Sequence, residues 1–216
     1  MNPTYWFFLQ FARAVARMCF SLEVVGRENL PKEGSGGYLL AMNHQSYLDP
    51  PIVAIAAHPH PIHFLARKTL LKWPVLGRVF PRLNVVPIDQ DRPDMSALKS
   101  VIRLLRAGET TIVFPEGART LDGQFQPAQP GIGLIIAKTL VPVVPMRVFG
   151  AYDAMPRGGK GIRTVPIQVS IGQPITFSAA DLERTGKTDP RELYQRLSER
   201  VMDAIKAIPP PHAAKA

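Results

Sequence analysis

A histidine and an aspartate five residues apart form the pair in this chain best suited to moving a proton. They are His44 and Asp49 of Asn43-His44-Gln45-Ser46-Tyr47-Leu48-Asp49. An imidazole changes charge near neutral pH, and a carboxylate on one ring nitrogen selects the tautomer and stabilises the imidazolium. The same spacing also fits a plainer arrangement, in which Asp49 caps a helix and His44 is an ordinary loop residue. A second group lies downstream in Phe114-Pro115-Glu116-Gly117-Ala118-Arg119-Thr120. Glu116 can accept a hydrogen bond from a hydroxyl, and Gly117 lets backbone amides approach a ligand. Arg119 offers a planar fork that matches a phosphate. Three further cations, Arg67, Lys68 and Arg92, follow apolar runs. Singly, these residues read as local salt bridges or solvated helix starts. Together they describe a site for a phosphate with a hydroxyl beside it.

The elements that must position these residues follow from the pattern of apolar runs and breakers. Tyr38 to Met42 is a short apolar run behind Gly34, Gly36 and Gly37, which predicts a buried strand. Asp49-Pro50 predicts a helix start with Asp49 at the N-cap and a short helix to Ala57. Thus His44 leaves the carboxyl end of a strand, the usual place for a site in an open α/β sheet. Further strands are expected at Ser21 to Gly26, Ile62 to Ala66, Asn84 to Ile88, Thr110 to Phe114 and Val165 to Ile171. Val141 to Phe149 also reads as a strand, and its two prolines predict an edge or irregular position. Helices are expected at Arg67 to Leu71, Val75 to Phe80, Met95 to Leu105, Gly131 to Thr139 and from Asp189-Pro190 onward. Strands and helices alternate, so the fold class is α/β, with a mixed, largely parallel sheet flanked by helices.

Composition narrows the function classes. With 216 residues, 46% of them hydrophobic and 20% charged, the chain is long and apolar enough for one domain with a substantial core. Lys and Arg number 26 against 17 Asp and Glu, a net charge of +9, which calls for an anionic partner. The aromatic residues gather near the N-terminus and do not alternate with basic ones, which argues against nucleic acid. A single cysteine, Cys19, excludes a disulfide framework and a cysteine-based zinc cluster. His58, His60 and His63 stand close together, but Pro59 and Pro61 extend the chain and no nearby acid completes a metal site. The sequence carries no P-loop, dinucleotide fingerprint or nucleophile elbow.

Residues 1–22 predict an amphipathic helix. Gln10, Arg13 and Arg17 form one stripe, with Phe8, Ala12, Val15 and Cys19 opposite. The two arginines count against a membrane span, and no charge precedes the apolar part as in a signal peptide. The aromatic weight of Tyr5, Trp6, Phe7, Phe8 and Phe11 beside a basic face suits a helix lying in a membrane interface. Packing on its own domain is the competing expectation. Residues 23–208 form the folded domain and 209–216 a disordered tail.

Three stretches carry a resemblance to a known family. Asn43 to Asp49 resembles the N-H-x-x-x-x-D motif of the glycerolipid acyltransferases. Phe114 to Thr120 resembles their F-P-E-G-T-R-S motif, with Ala118 in place of threonine. Val141-Pro142-Val143-Val144-Pro145-Met146 resembles their apolar fourth motif. The order and spacing agree over about residues 27 to 173, and the subgroup implied is the 1-acyl-glycerol-3-phosphate acyltransferase type. One departure is that Gln90 stands where the second motif, G-x-I-x-I-D-R, has arginine, leaving Arg92 as the candidate substitute. The resemblance implies acyl transfer from acyl-CoA or acyl-carrier protein to the hydroxyl of a lyso-lipid phosphate, without a metal or redox cofactor. His44 would be the general base, oriented by Asp49. Asn43, Glu116, Gly117, Arg119, Arg92, Arg67 and Lys68 would bind substrate. The enzyme would sit peripherally on the cytoplasmic face of a membrane. A different lyso-lipid acceptor, or hydrolysis by water, remains open.

Overall fold

The apolar run Leu39–Met42 forms strand β2, and all four of its residues are buried. Burial on both faces marks a central strand of a sheet covered on each side. A computed structural model describes residues 3–32, 34–67, 82–88, 95–159, 161–183 and 189–211. In chain order the elements are α1 (Pro3–Phe20), β1 (Glu23–Val25), β2, α2 (Asp49–Ala57), β3 (Ile62–Arg67) and β4 (Val85–Ile88). They continue with α3 (Met95–Arg106), β5 (Thr110–Val113), α4 (Gly131–Thr139) and β6 (Val143–Phe149). The short α5 (Ala151–Ala154), β7 (Gln168–Ile171) and α6 (Pro190–Ala207) complete the order. The helices expected at Arg67 to Leu71 and Val75 to Phe80 fall on or run into segments outside the described residues. So does the tail from residue 212.

The seven strands lie in the order β1-β7-β6-β2-β5-β3-β4. Every neighbouring pair is parallel except β6 and β7, which are antiparallel. The α/β class with a mixed, largely parallel sheet is therefore what the chain adopts. β2 stands at the centre, with β5 on one side and β6 on the other. Its alternate residues serve two cores. Leu40 and Met42 pack with α1, α2 and α5, whereas Leu39 and Ala41 pack with α3, α4 and α6.

Three local expectations differ from the structure. β6 is an interior strand, although it contains Pro145. The Pro145 carbonyl accepts from the Gly172 amide at 2.8 Å, so its missing N–H faces the same way, just beyond the last β7 residue, Ile171. The proline thus gives up one bond, the return donation to the Gly172 carbonyl at the end of β7, and leaves the pairing with β2 on its other side intact. The last strand begins at Gln168, three residues later than the alternating pattern from Val165 suggests. In α1 the buried positions are Tyr5, Leu9, Ala16 and Phe20, which pack toward α2. The helix is apolar on most sides, so periodicity alone does not select the buried one. Phe7, Phe11, Val15 and Met18 form an exposed stripe on the other side, with Trp6 beside it.

α4 and α6 approach closely where α4 has glycine. The Gly133 amide donates to Ser198 Oγ at 3.0 Å, and Ser198 Oγ donates to the Tyr194 carbonyl at 2.8 Å. A Cβ on Gly133 would overlap that carbonyl. Backbone cannot rotate away as a side chain can. Gly133→Ala is therefore expected to cost roughly 3 kcal/mol, the upper part of the range for overpacking. Urea denaturation compared with the wild type measures it.

Candidate active site

β2, β5 and β6 point their carboxyl ends the same way, so the segments that leave them meet. Asn43 continues from β2 and is almost fully buried. Its side-chain nitrogen donates to the Val148 carbonyl at 3.1 Å, and its oxygen accepts from the Val148 amide at 2.8 Å. The side chain imitates one more step of strand pairing and ties the start of the loop to β6. Both of its polar atoms are taken by backbone.

His44 follows, and contacts on four sides fix it. Its ring Nδ1 lies 2.7 Å from Asp49 Oδ2. Its ring stacks on that of Phe114, with centroids 3.9 Å apart and planes 12° from parallel. Its amide donates to Glu116 Oε1 at 3.0 Å, and its carbonyl accepts from the Thr120 amide at 2.9 Å. Asp49 is fully buried, and Oδ2 also accepts from the Gln45 and Ser46 amides at 2.7 and 2.8 Å. Because this oxygen accepts from backbone N–H groups as well, Nδ1 is the protonated nitrogen of the neutral ring. Nε2 is then the basic atom, and among the described residues it has no partner.

Asp49 does not cap α2 in the manner expected. The N-cap position is Leu48, and no side chain caps the helix. Pro50 and Pro51 carry no amide hydrogen, and the Ile52 amide is spent on the Leu48 carbonyl. The carboxylate turns back to the loop instead, where donors exist.

The segment after β5 supplies the rest. A turn is closed by the Gly117 amide donating to the Phe114 carbonyl at 3.0 Å, with Gly117 at φ +72°. That amide is committed to its own turn. Glu116 is 5% exposed. Its Oε1 holds the His44 amide, and its Oε2 accepts from the Gln126 amide at 3.0 Å. Burial pushes its carboxyl pKa up, while the two amides pull it down. The Arg119 guanidinium carbon lies over the ring of Tyr47, 3.4 Å from the centroid, a cation–π contact. Arg157, from the loop after α5, donates to the Arg119 carbonyl at 3.2 Å.

The structure thus brings together His44, Asp49, Asn43, Glu116, Gly117 and Arg119. Arg67 is the last residue of β3, separated from β2 by β5. Lys68, Arg92 and Gln90 lie outside the described residues. Residues the sequence did not single out are Phe114, Tyr47 and Arg157. Phe114 is one residue beyond an apolar strand, and nothing local says that it stacks on an imidazole 70 positions earlier. Arg157 sits in a basic glycine-rich loop whose neighbours only the topology reveals.

A model of the acyltransferase family matches residues 21–149, which include both site segments and all of β6. The chain belongs to the acyltransferase family. Among relatives of this acyltransferase-family chain, a chloroplastic 1-acyl-sn-glycerol-3-phosphate acyltransferase of Brassica napus is 34% identical over 166 residues. That match covers 76% of this chain and 47% of the relative. The Arabidopsis thaliana relative is 31% identical, with 46% of its length covered. The chain therefore spans about half the length of these plant proteins. The 1-acyl-sn-glycerol-3-phosphate acyltransferase of Bacillus subtilis is 26% identical, with 79% of this chain and 82% of that protein covered. The crystal structure of the 1-acyl-sn-glycerophosphate acyltransferase of Thermotoga maritima superposes with a TM-score of 0.69 at 26% identity. It covers 94% of this chain and 82% of that one.

The geometry sets the expected tautomer of His44. At a pH where the ring is neutral, long-range ¹H–¹⁵N NMR of the imidazole is expected to show Nδ1 protonated and Nε2 unprotonated. The reverse pattern would contradict the assignment of Nε2 as the basic atom.

Proposed function

We propose that this chain transfers a fatty acyl group from an acyl thioester to the free hydroxyl of 1-acyl-glycerol-3-phosphate, giving phosphatidic acid. The observation that carries the reading is the His44 Nδ1 to Asp49 Oδ2 contact of 2.7 Å in a loop braced against the Arg119 segment. Nε2 takes the proton as the acceptor oxygen attacks the thioester carbonyl. Asp49 stabilises the imidazolium. The tetrahedral intermediate collapses, the carbon–sulfur bond breaks, and the thiolate recovers the proton from His44. No acyl-enzyme forms, so no serine or cysteine nucleophile is required. Arg119, seated over the Tyr47 ring, binds the acceptor phosphate. Acyl-CoA and acyl-carrier protein both present a phosphopantetheine thioester and both suit the step. The names of the relatives from Brassica napus and Bacillus subtilis support the acceptor.

A second acceptor reading has one specific motive, Gln90 in place of the arginine of the family's second motif. Under that reading the same chemistry acylates another lyso-lipid. The test is a panel of lyso-acceptors offered to the purified chain with acyl-CoA, scoring ester product against free fatty acid. Transfer to lysophosphatidic acid well above the other acceptors is expected. Absence of that transfer, with turnover elsewhere in the panel, sinks the first reading. Excess free fatty acid would indicate a hydrolase. In the same assay His44→Ala is expected to lower kcat by about 10³-fold with the fold intact, within the range for removal of a general base. Arg119→Ala is expected to raise the acceptor KM about 10- to 100-fold, the worth of hydrogen bonds to a charged group.

The reading also places the chain peripherally at the cytoplasmic face of a membrane, where a lipid acceptor is found. Support comes from α1, whose exposed side carries Trp6, Phe7, Phe11, Val15 and Met18, exposed from 36% to 84%. An apolar stripe beside Arg13 and Arg17 suits the interface of an anionic bilayer. Among the described residues no helix is long and apolar enough to cross a membrane. Phe7→Asp together with Phe11→Asp is expected to abolish co-flotation with liposomes containing anionic lipid. Unchanged flotation would remove α1 from the membrane contact.

A further inference from the structure

The family resemblance gives Glu116 to the acceptor, and its surroundings point elsewhere. A carboxylate that binds a substrate hydroxyl needs an oxygen open to the site. Glu116 is 5% exposed, and each of its oxygens already accepts from a backbone amide. The two amides belong to segments 82 residues apart in sequence, at His44 and Gln126. Glu116 itself stands in the turn closed by the Gly117 amide, so the carboxylate is anchored from its own backbone. Adjacent contacts repeat the pattern. The Thr120 amide donates to the His44 carbonyl at 2.9 Å, and the Gln129 amide donates to the Pro115 carbonyl at 2.8 Å. On the opposite side Asn43 holds the preceding peptide to Val148 with both polar atoms of its side chain. The backbone that carries the base is thus clamped from β6 and from the segment after β5.

We propose that Glu116 is a positioning residue for His44, its carboxylate joining the His44 amide to the Gln126 amide, and not a ligand of the acceptor. The proposal rests on the transfer reading for its kinetic arm and on geometry alone for the rest. Glutamine separates the two roles. One side-chain oxygen is enough to accept from a substrate hydroxyl, so a binding role tolerates Glu116→Gln. A clamp does not, because the new NH₂ would face a backbone N–H, donor against donor.

The experiment compares wild type and Glu116→Gln in steady-state kinetics with lysophosphatidic acid and acyl-CoA, with Arg119→Ala as the binding control. Amide hydrogen exchange of the wild type and the Gln variant is followed in parallel. The variant is expected to lose about 10²-fold in kcat, the effect of misplacing a catalytic group by about 1 Å, with acceptor KM within about twofold of wild type. The amides of His44 and Gln126 are expected to be protected in the wild type and to exchange faster in the variant, while those of β2 and β5 stay protected. A raised acceptor KM with kcat retained overturns the proposal. So does an unchanged kcat, or fast exchange of the His44 and Gln126 amides in the wild type. If the variant does not fold, the wild-type exchange alone decides. A wild type inactive on lysophosphatidic acid fails the transfer reading and leaves the exchange arm standing.

Discussion

A single oxygen, Asp49 Oδ2, gathers the His44 ring and two backbone amides, and the geometry of the site depends on it. Burying a carboxylate costs several kcal/mol before any compensation. Three short hydrogen bonds to a charged group, each about 1.5–3 kcal/mol, offset that cost. The net gain in stability is small, and the result is mainly geometric. The loop curls around the carboxylate, and the imidazole is held by one nitrogen with the other left for chemistry. The prolines after Asp49 matter here. They remove the helix amides that would otherwise compete for the carboxylate, so it faces the loop that carries the histidine.

That arrangement holds only because the strand beneath it cannot move. β2 is buried on both faces, its alternate residues locked into two cores. Interiors packed to such density deform little, so the carboxyl end of β2 is a fixed point. β5 and β6 flank it, and the segments that leave all three strands bond to one another. Phe114 stacks on His44, Glu116 and Thr120 hold its backbone, and Asn43 reaches to Val148. A site built from loops gains in this way the rigidity of the sheet.

α1 meets two environments at once. One side closes the core over α2, and the other leaves an apolar stripe in solvent. A helix that satisfied only its own domain would carry polar residues on that outer side. The outer stripe is an exposed apolar patch of the kind that marks a contact surface, and the proposed lipid acceptor would supply the reason for one.

Much of this was legible in the sequence. Short apolar runs between glycines and prolines marked the strands, and the 3.6-residue period marked the longer helices, because both patterns are local. His44, Asp49, Glu116 and Arg119 stood out because their chemistry is uncommon at strand ends and their spacing matches a known family. What one sequence cannot carry is which run lies beside which. Pro145 looked like a mark of an edge strand, yet only the sheet shows that its missing amide faces the end of β7 and not the central β2. Asp49 looked like a helix cap, yet the donors that claimed it come from the preceding loop. The buried side of α1 was ambiguous because several of its sides are apolar and only α2 distinguishes them. The partners of Asn43 and Glu116 lie 105 and 72 residues away, at Val148 and His44. The sequence by itself determined which chemically capable residue types stand at the strand ends, and at what local spacing. Tertiary structure decided which of those residues face open space and which hold others in place, because hydrogen bonds between distant segments exist only once the sheet has brought them together.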